Sequence, residues 1–143
     1  KSIDENQIFE FAQINNEVID IGDDLQLKIY CKKPISLNNY ILNINIIDSF
    51  DNLLCHLINK DQVENQSNNL QNKLINVIIR NINLVPGTYF ISLWLGKDMY
   101  NCEDRVDYAL SFNIVNKQNY ISRKESIRKD SKFILKTEWQ YGL

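Results

Sequence analysis

Apolar and polar residues alternate along much of the chain with the two-residue period of a half-buried strand. In DLQLKIYC, Leu25, Leu27, Ile29 and Cys31 share one face and Gln26, Lys28 and Tyr30 the other. YILNINII repeats this with Tyr40, Leu42, Ile44 and Ile46 opposed by Asn43 and Asn45. VDYALSFNIV does so again with Val106, Tyr108, Leu110, Phe112 and Ile114. Further strands are expected over Ile8–Ile14, Leu53–Ile58, Lys73–Arg80, Thr88–Leu95 and the tail Phe133–Trp139. In LVPGTYFISLWLG, Pro86 fixes φ near a turn value and Gly87 permits φ > 0, so the pair punctuates the chain just before a well-buried strand. Turns are also expected at SFDN (Ser49–Asn52) and in EVIDIGDD around Gly22.

About eight short strands with no helical period between them predict an all-β fold, an antiparallel sandwich or barrel rather than a βαβ sheet. Two polar stretches interrupt the pattern. Lys60–Gln71 reads as a long loop. Asn116–Lys132 carries six Lys/Arg against one Glu and one Asp, which reads as a solvated linker or as a basic arm for a partner or an anionic membrane surface. The expected organisation is a β-sandwich module over 1–115, a polar basic linker over 116–132, and a C-terminal strand and tail over 133–143. That last strand pairs within its own domain or is exchanged with a second chain.

Composition narrows the function more than the fold. With 143 residues, 44% hydrophobic and 24% charged, the chain is ordinary globular material sized for one core. A net charge of −2 argues against nucleic acid as a main partner, since binding phosphates needs a basic excess. No apolar run approaches a membrane span, and no signal-peptide pattern opens the sequence. Because it begins at Lys1, the sequence is expected to be one domain of a longer protein. Cys31, Cys55 and Cys102 are odd in number and widely spaced, and are expected to be buried free thiols of a reducing, cytoplasmic compartment.

Enzymatic chemistry lacks its parts. Four glycines, at 22, 87, 96 and 142, supply neither a P-loop nor a dinucleotide fingerprint. The single histidine, His56, sits in LLCHLI, where its neighbour Cys55 faces the other side of the strand. Glu103–Asp104 is too sparse for a calcium loop, so no metal and no cofactor are expected. A non-catalytic binding module is the expected class.

The order of these pieces resembles a known family. EVIDIGDDLQLKIYCKKPISLNNYILNINIIDSFDNLL is followed by a long Asn/Gln loop, by LINVIIRNINLVPGTYFISLWLG and by EDRVDYALSFNIV. This is similar to the C-terminal domain of Wzt, the ATP-binding subunit of ABC transporters that export O-antigen polysaccharide. In particular LVPGTY matches the family's Leu-x-Pro/Ala-Gly-x-Tyr turn, and DRVDYALSFNIV its late Asp-x-Val/Asp-x-Ala-x-x-Phe-x-Val strand. IIDSFDNLL carries Asn52 where that family's hairpin usually has glycine, and Trp139 has C-terminal counterparts. The resemblance implies an immunoglobulin-like or jelly-roll sandwich that recognises an undecaprenyl-linked O-antigen polysaccharide. It further implies a homodimer, attachment to a transporter ATPase domain, a membrane subunit as partner, and a place at the cytoplasmic face of the bacterial inner membrane.

A sheet holds a sugar chain by offering aromatic rings to its C–H faces and planar polar groups to its hydroxyls. If Tyr89, Ile91, Leu93 and Leu95 form the core face of their strand, Phe90, Ser92 and Trp94 point outward; the reverse register sends Tyr89 out, and Trp94 fills the space between sheets. Asn43 and Asn45 are the outward amides of a nearly apolar strand. Tyr30 opposes its strand's apolar face, Arg80 closes KLINVIIR, and Tyr100, Asp104 and Arg105 lie near one rim, the last two expected to pair on the surface. The candidate carbohydrate-binding residues are therefore Trp94, Phe90, Tyr30, Asn43, Asn45, Arg80 and Tyr100. Phe133, Leu135 and Trp139 are the candidates for dimer contact or strand exchange. Two other readings stand beside this one: a structural or protein–protein interaction sandwich using the FILKTEW tail, and a sugar-modifying enzyme in which His56 works with a carboxylate. Asn is abundant, at 20 of 143 residues, but an AT-rich coding sequence explains that as well as a sugar site does.

Overall fold

The computed structural model describes residues 6–61, 72–117, 127–128 and 130–142. Much of the long polar loop and of the basic linker expected from the sequence lies outside these residues. Within them seven of the expected segments become strands and an eighth forms where a turn was expected: β1 (Phe9–Ile14), β2 (Val18–Asp20, the unexpected one), β3 (Leu25–Ile35), β4 (Ile41–Asp48), β5 (Leu53–Ile58), β6 (Asn72–Ile79), β7 (Gly87–Gly96) and β8 (Cys102–Val115). They form two sheets, in the order β1-β3-β6 and β2-β8-β7-β4-β5. The fold is the all-β sandwich that the alternation predicts.

Every pairing is antiparallel except one. β2 runs parallel to β8, with Val18 beside Asn113 and Asp20 beside Val115. EVIDIGDD is thus a short edge strand followed by a turn, and Gly22 makes that turn at φ 87° with its N–H donating to the Ile82 carbonyl at 2.7 Å.

Leu25, Leu27, Ile29 and Cys31 of β3 meet Leu42, Ile44 and Ile46 of β4 and Tyr89, Ile91, Leu93 and Leu95 of β7, with Val106, Phe112 and Ile114 of β8 completing the core. Burying each such aliphatic or aromatic side chain contributes on the order of 1.5–3 kcal/mol. The core face of β7 is therefore the Tyr89–Leu95 set, and Phe90, Ser92 and Trp94 belong to the other side of the sheet.

Four expectations need correction. The first concerns the tail: Phe133–Trp139 is not a strand in this chain. Phe133 makes one bridge to Leu84, flanked by hydrogen bonds from Val85 N–H to the Lys132 carbonyl (2.7 Å) and from Ile134 N–H to the Asn83 carbonyl (2.8 Å). Alternation signals compatibility with a sheet, but a strand also needs a partner edge, and Asn83–Val85 offers too short a one.

Second, Tyr108 does not share the core face with Val106 and Phe112. Leu93 pairs with Val106 while Ile91 pairs with Leu110, so β8 holds two more residues than β7 over this step. An insertion of two keeps the inward phase on both sides, and the alternation reads straight through the bulge. At its centre Tyr108 adopts φ 53° and is exposed.

Third, Asp104 does not pair with Arg105 on the surface. Asp104 is buried, and its carboxylate accepts the backbone N–H groups of Ile8 and Phe9, each at 2.9 Å, that of Arg105 at 3.0 Å, and the Asn6 amide. Arg105 instead pairs with Asp107 at 3.3 Å. Sequence adjacency suggests the ion pair, but Asp104 pairs with the core residue Leu95 and stands two residues before Val106, so the alternation of β8 turns it inward to where the start of β1 needs acceptors.

Fourth, the three free thiols are not all buried. Cys31 is, Cys55 is half-buried, and Cys102 is exposed where β8 begins. Burial, then the negative charges of Asp104 and Glu10, pushes the Cys31 thiol up to about 11, and burial raises Cys55.

Candidate functional site: the outer face of the five-stranded sheet

The register of β4, β5, β7 and β8 assembles an outward surface row by row. Asn43 stands directly opposite Trp94, with Ile58 beyond it on β5 and Arg105 beyond Trp94 on β8. One step along, Asn45 opposes Ser92 on one side and His56 on the other. In the next row Ile47 opposes Phe90, which in turn opposes Ser111. Directly opposed side chains in an antiparallel pair have Cβ atoms ~5 Å apart, close enough to act as one surface.

Each position has a local cause. Asn43 and Asn45 face outward because Leu42, Ile44 and Ile46 take the core. Crowded by their neighbours, they are themselves deeply placed: Asn43 is only 8% exposed. The Oδ1 atoms of both amides are buried without a hydrogen-bond partner in the protein. Leaving a buried acceptor unpaired costs roughly 1–3 kcal/mol, so two on one strand are a conspicuous expense for a surface with no task.

Trp94 is held by a gap in the chain. A Cβ at Gly96 would lie 2.5 Å from Cη2 of Trp94 and 2.9 Å from the Asp98 carbonyl oxygen, and would also collide with the Asn101 carbonyl. The indole thus leans over the one residue of its strand face that has no side chain. The adjoining β7–β8 loop is fixed by Asp98, whose carboxylate accepts the N–H groups of Tyr100 (2.8 Å) and Asn101 (2.9 Å) and the Asn101 side-chain amide. The Asn101 side-chain bond, then the Tyr100 backbone bond, holds the Asp98 carboxyl below its ordinary value. Tyr100, 93% exposed, projects from this loop at the Trp94 end.

At the other end of the face, the Phe90 ring meets Tyr108 edge-on, with centroids 5.4 Å apart and planes at 77°. Tyr108 N–H donates to the Ser92 hydroxyl at 2.9 Å, and Tyr108 OH donates to the Asp51 carboxylate. The structure therefore brings together Trp94, Phe90, Asn43 and Asn45, with Tyr100 at the rim.

It does not bring Tyr30 or Arg80 to them. Tyr30 lies on the outer face of the three-stranded sheet, on the far side of the sandwich, stacked on Phe11 with centroids 4.2 Å apart. Arg80 pairs with Asp24 at 2.9 Å, at the rim of an apolar cleft of about 540 Å³ between the edges of β5 and β6. Asp24 also accepts Asn81 N–H, and that bond, then the Arg80 contact, keeps its carboxyl low. Of the tail candidates, Phe133 is half-exposed at its bridge to Leu84, and Leu135 and Trp139 project into solvent.

Sequence reasoning passed over three members of the face. Ser92 was visible only as a small residue between aromatics, and Arg105 was assigned to a surface pair with Asp104. Tyr108 carried no signal, because the double bulge leaves the apolar periodicity intact. His56, expected as an ordinary strand histidine and as a base only in the enzyme reading, lies beside Asn45, exposed on the same outward surface. Among the described residues no three His, Cys, Asp or Glu side chains cluster as metal ligands would.

A crystal structure of the C-terminal domain of Wzt superposes on the chain with a TM-score of 0.57 at 12% identity, over 94% of this chain and 80% of that one. No curated protein matches the sequence. The family profile described as the Wzt C-terminal domain matches residues 2–124, which is most of the chain and spans all eight strands together with the aromatic and amide face. The chain belongs to the Wzt C-terminal domain family.

Proposed function

We propose that this domain is a non-catalytic carbohydrate-binding module that recognises an O-antigen polysaccharide for export by an ABC transporter, and that the outer face of the five-stranded sheet is where it binds. One observation carries the placement: Trp94 and Asn43 are cross-strand neighbours, and the amide oxygens of Asn43 and Asn45 are buried without a partner. An indole offers its face to the C–H side of a pyranose while amides one strand away take the hydroxyls. Ser92, His56 and Arg105 extend the polar complement along the same rows.

On this reading the domain works as an appendage of an ATPase subunit at the cytoplasmic face of the inner membrane. It acts as a homodimer beside the membrane subunit, on a chain still carried by undecaprenyl diphosphate. Neither a cofactor nor a metal enters the reading. Leu135 and Trp139, exposed in the single chain, favour a second reading in which the tail docks on another polypeptide; this is compatible with the first and concerns a different surface.

The test is calorimetric titration of the folded domain with O-polysaccharide from its source strain and from an unrelated serotype, repeated with Trp94→Ala. Binding to the cognate chain alone, lost in a variant whose circular dichroism is unchanged, is the expected result. Absence of binding to either glycan refutes the reading. Binding that survives the substitution keeps the function and moves the site off this face.

A further inference from the structure

The outer face of β7 does not lie open along its whole length. In the five-stranded sheet β7 sits between β8 and β4, so a contact from β8 to the β4–β5 turn passes over β7. Tyr108 of the β8 bulge makes such a contact, to Asp51 of that turn, with its ring against Phe90 beneath. Both residues sit in the left-handed region, Tyr108 at φ 53° and Asp51 at φ 65°. Asp accepts that conformation readily, whereas a bulky aromatic does not.

A left-handed tyrosine persists only where its surroundings over-determine it, and such residues gather at functional sites. Here three contacts fix it: the Ser92 hydroxyl accepts its N–H, the Asp51 carboxylate accepts its hydroxyl, and Phe90 supports the ring edge. The inward phase of β8 does not need the arrangement, although Ala109 within it packs against the core. Val106, Phe112 and Ile114 are buried on either side of the bulge, and a regular β8 two residues shorter would keep the same inward phase. What the bulge adds is an aromatic wall, 47% exposed, standing over the face. Phe90 and Trp94 are four residues apart on one strand face, ~13 Å along it. Between them lies the polar floor of Asn45 and Ser92.

From this geometry we infer that Tyr108 is a ligand-contacting, specificity-determining residue of the glycan groove. Its ring forms the wall opposite Trp94, and Asp51 is the residue that positions it. The inference rests on the reading that this face binds glycan and names the second aromatic surface of that site. A sugar residue seated over Asn45 and Ser92 is then bounded on one side by the indole and on the other by the phenol ring. Its substituents must pass the Tyr108–Asp51 bridge.

The test titrates O-polysaccharide purified from the source strain into the wild-type domain and into Tyr108→Asn, Tyr108→Phe, Asp51→Asn, Asp51→Ala and Trp94→Ala, with folding and melting temperature measured for each. Asparagine tolerates the left-handed backbone, so Tyr108→Asn removes the ring while keeping the bulge. That variant is expected to melt no lower than wild type and to bind at least tenfold more weakly. Asp51→Ala and Tyr108→Phe, which release the ring, are expected to lose threefold or more, and Asp51→Asn, which keeps an acceptor, to bind nearly as wild type. A structural role alone would not separate Asp51→Asn from Asp51→Ala at equal melting temperature. If Trp94→Ala abolishes binding while Tyr108→Asn and Asp51→Ala bind as wild type, the inference is wrong and the groove reading stands. Should wild type itself not bind, both fall. If Tyr108→Asn does not fold, the Asp51 pair and Tyr108→Phe decide by the same criteria.

Discussion

Tyr89 donates its phenolic hydrogen to the carbonyl of Val85, four residues upstream, at 2.6 Å in the buried core. This bond explains why Pro86-Gly87 precedes a strand as deeply buried as β7. The turn folds Val85 back over the residue that opens the core face of β7, and Gly87, with φ 158°, passes 3.8 Å from the Tyr89 ring measured from where its Cβ would be. Phe112 stacks on the same ring with centroids 5.7 Å apart, tying the turn to β8. A tyrosine whose hydroxyl returns to the backbone a few residues upstream is a recurrent way for sandwich domains to fasten a corner.

Tyr89→Phe keeps the ring and strands the buried Val85 carbonyl, so it should lower stability by about 1–2 kcal/mol in denaturant unfolding with an unchanged slope. The same variant tests a pH dependence. Burial, then the charge of Asp48, pushes the Tyr89 hydroxyl up to about 12. The folded state thus holds this proton more tightly than the unfolded chain, where tyrosine titrates near 10. Its contribution is complete below pH ~10 and is lost as pH rises towards 12. Wild type should lose stability across that window more steeply than Tyr89→Phe.

Asp104 joins the first strand of one sheet to the last strand of the other. With three backbone N–H groups and the Asn6 amide converging on one buried carboxylate, an amide cannot replace it, because its NH2 would face donors. Asp104→Asn should cost at least about 2 kcal/mol. Native-state hydrogen exchange should show the loss first at the Ile8 and Phe9 amides, since they lose their acceptor; exchange raised uniformly through the core would contradict this account.

Gly96→Ala probes how Trp94 is held. The added methyl group meets two backbone carbonyls and the indole, and the carbonyls cannot swing aside as a side chain would. Overpacking of this kind costs roughly 1–3 kcal/mol. Relief has to come from the indole and the Lys97–Asn101 loop, so the Trp94 emission should shift while the core stays intact. Glycan affinity should fall with it. An unchanged spectrum with unchanged stability would show that the indole does not depend on the gap.

Legibility in the sequence followed period and parity. Strands β3, β4, β7 and β8 were plain as strands, and the outward placement of Asn43 and Asn45 follows from phase alone; both faces of β7 are apolar, so for Trp94 and Phe90 two registers stood open until the core face was seen. The pairing of Asn43 with Trp94 was not readable, since register depends on turn geometry and on bulges. A two-residue bulge preserves parity, which hid Tyr108 among core residues; Asp104 keeps the inward parity of Val106, but its charge hid it among surface residues, since period says nothing of the Ile8 and Phe9 N–H groups it meets there. Tyr30 looked equivalent to Trp94 because alternation says that a residue faces outward without saying from which sheet. The tail is the complementary case: FILKTEW has the pattern of a strand, but pattern carries no information about whether an edge is available, and among the described residues of this chain only the Leu84–Phe133 bridge forms.

The most discriminating substitution is Asn43→Val. Asn43 lies nearly buried on a central strand, its Oδ1 without a partner, between Ile58 and Trp94. Valine suits such a position by strand propensity and removes the unsatisfied acceptor. The variant should therefore be as stable as wild type or more stable, by up to about 1 kcal/mol. If the amide is kept for hydroxyls of a sugar chain, the same change should weaken glycan binding, so that stability and affinity move in opposite directions. Paired denaturation and calorimetry on one preparation decide it. A variant that loses both stability and binding would mean that Asn43 supports the fold through contacts its burial conceals. One that gains stability and binds as before would remove Asn43 from the site and leave Trp94 to act with Asn45 and Ser92.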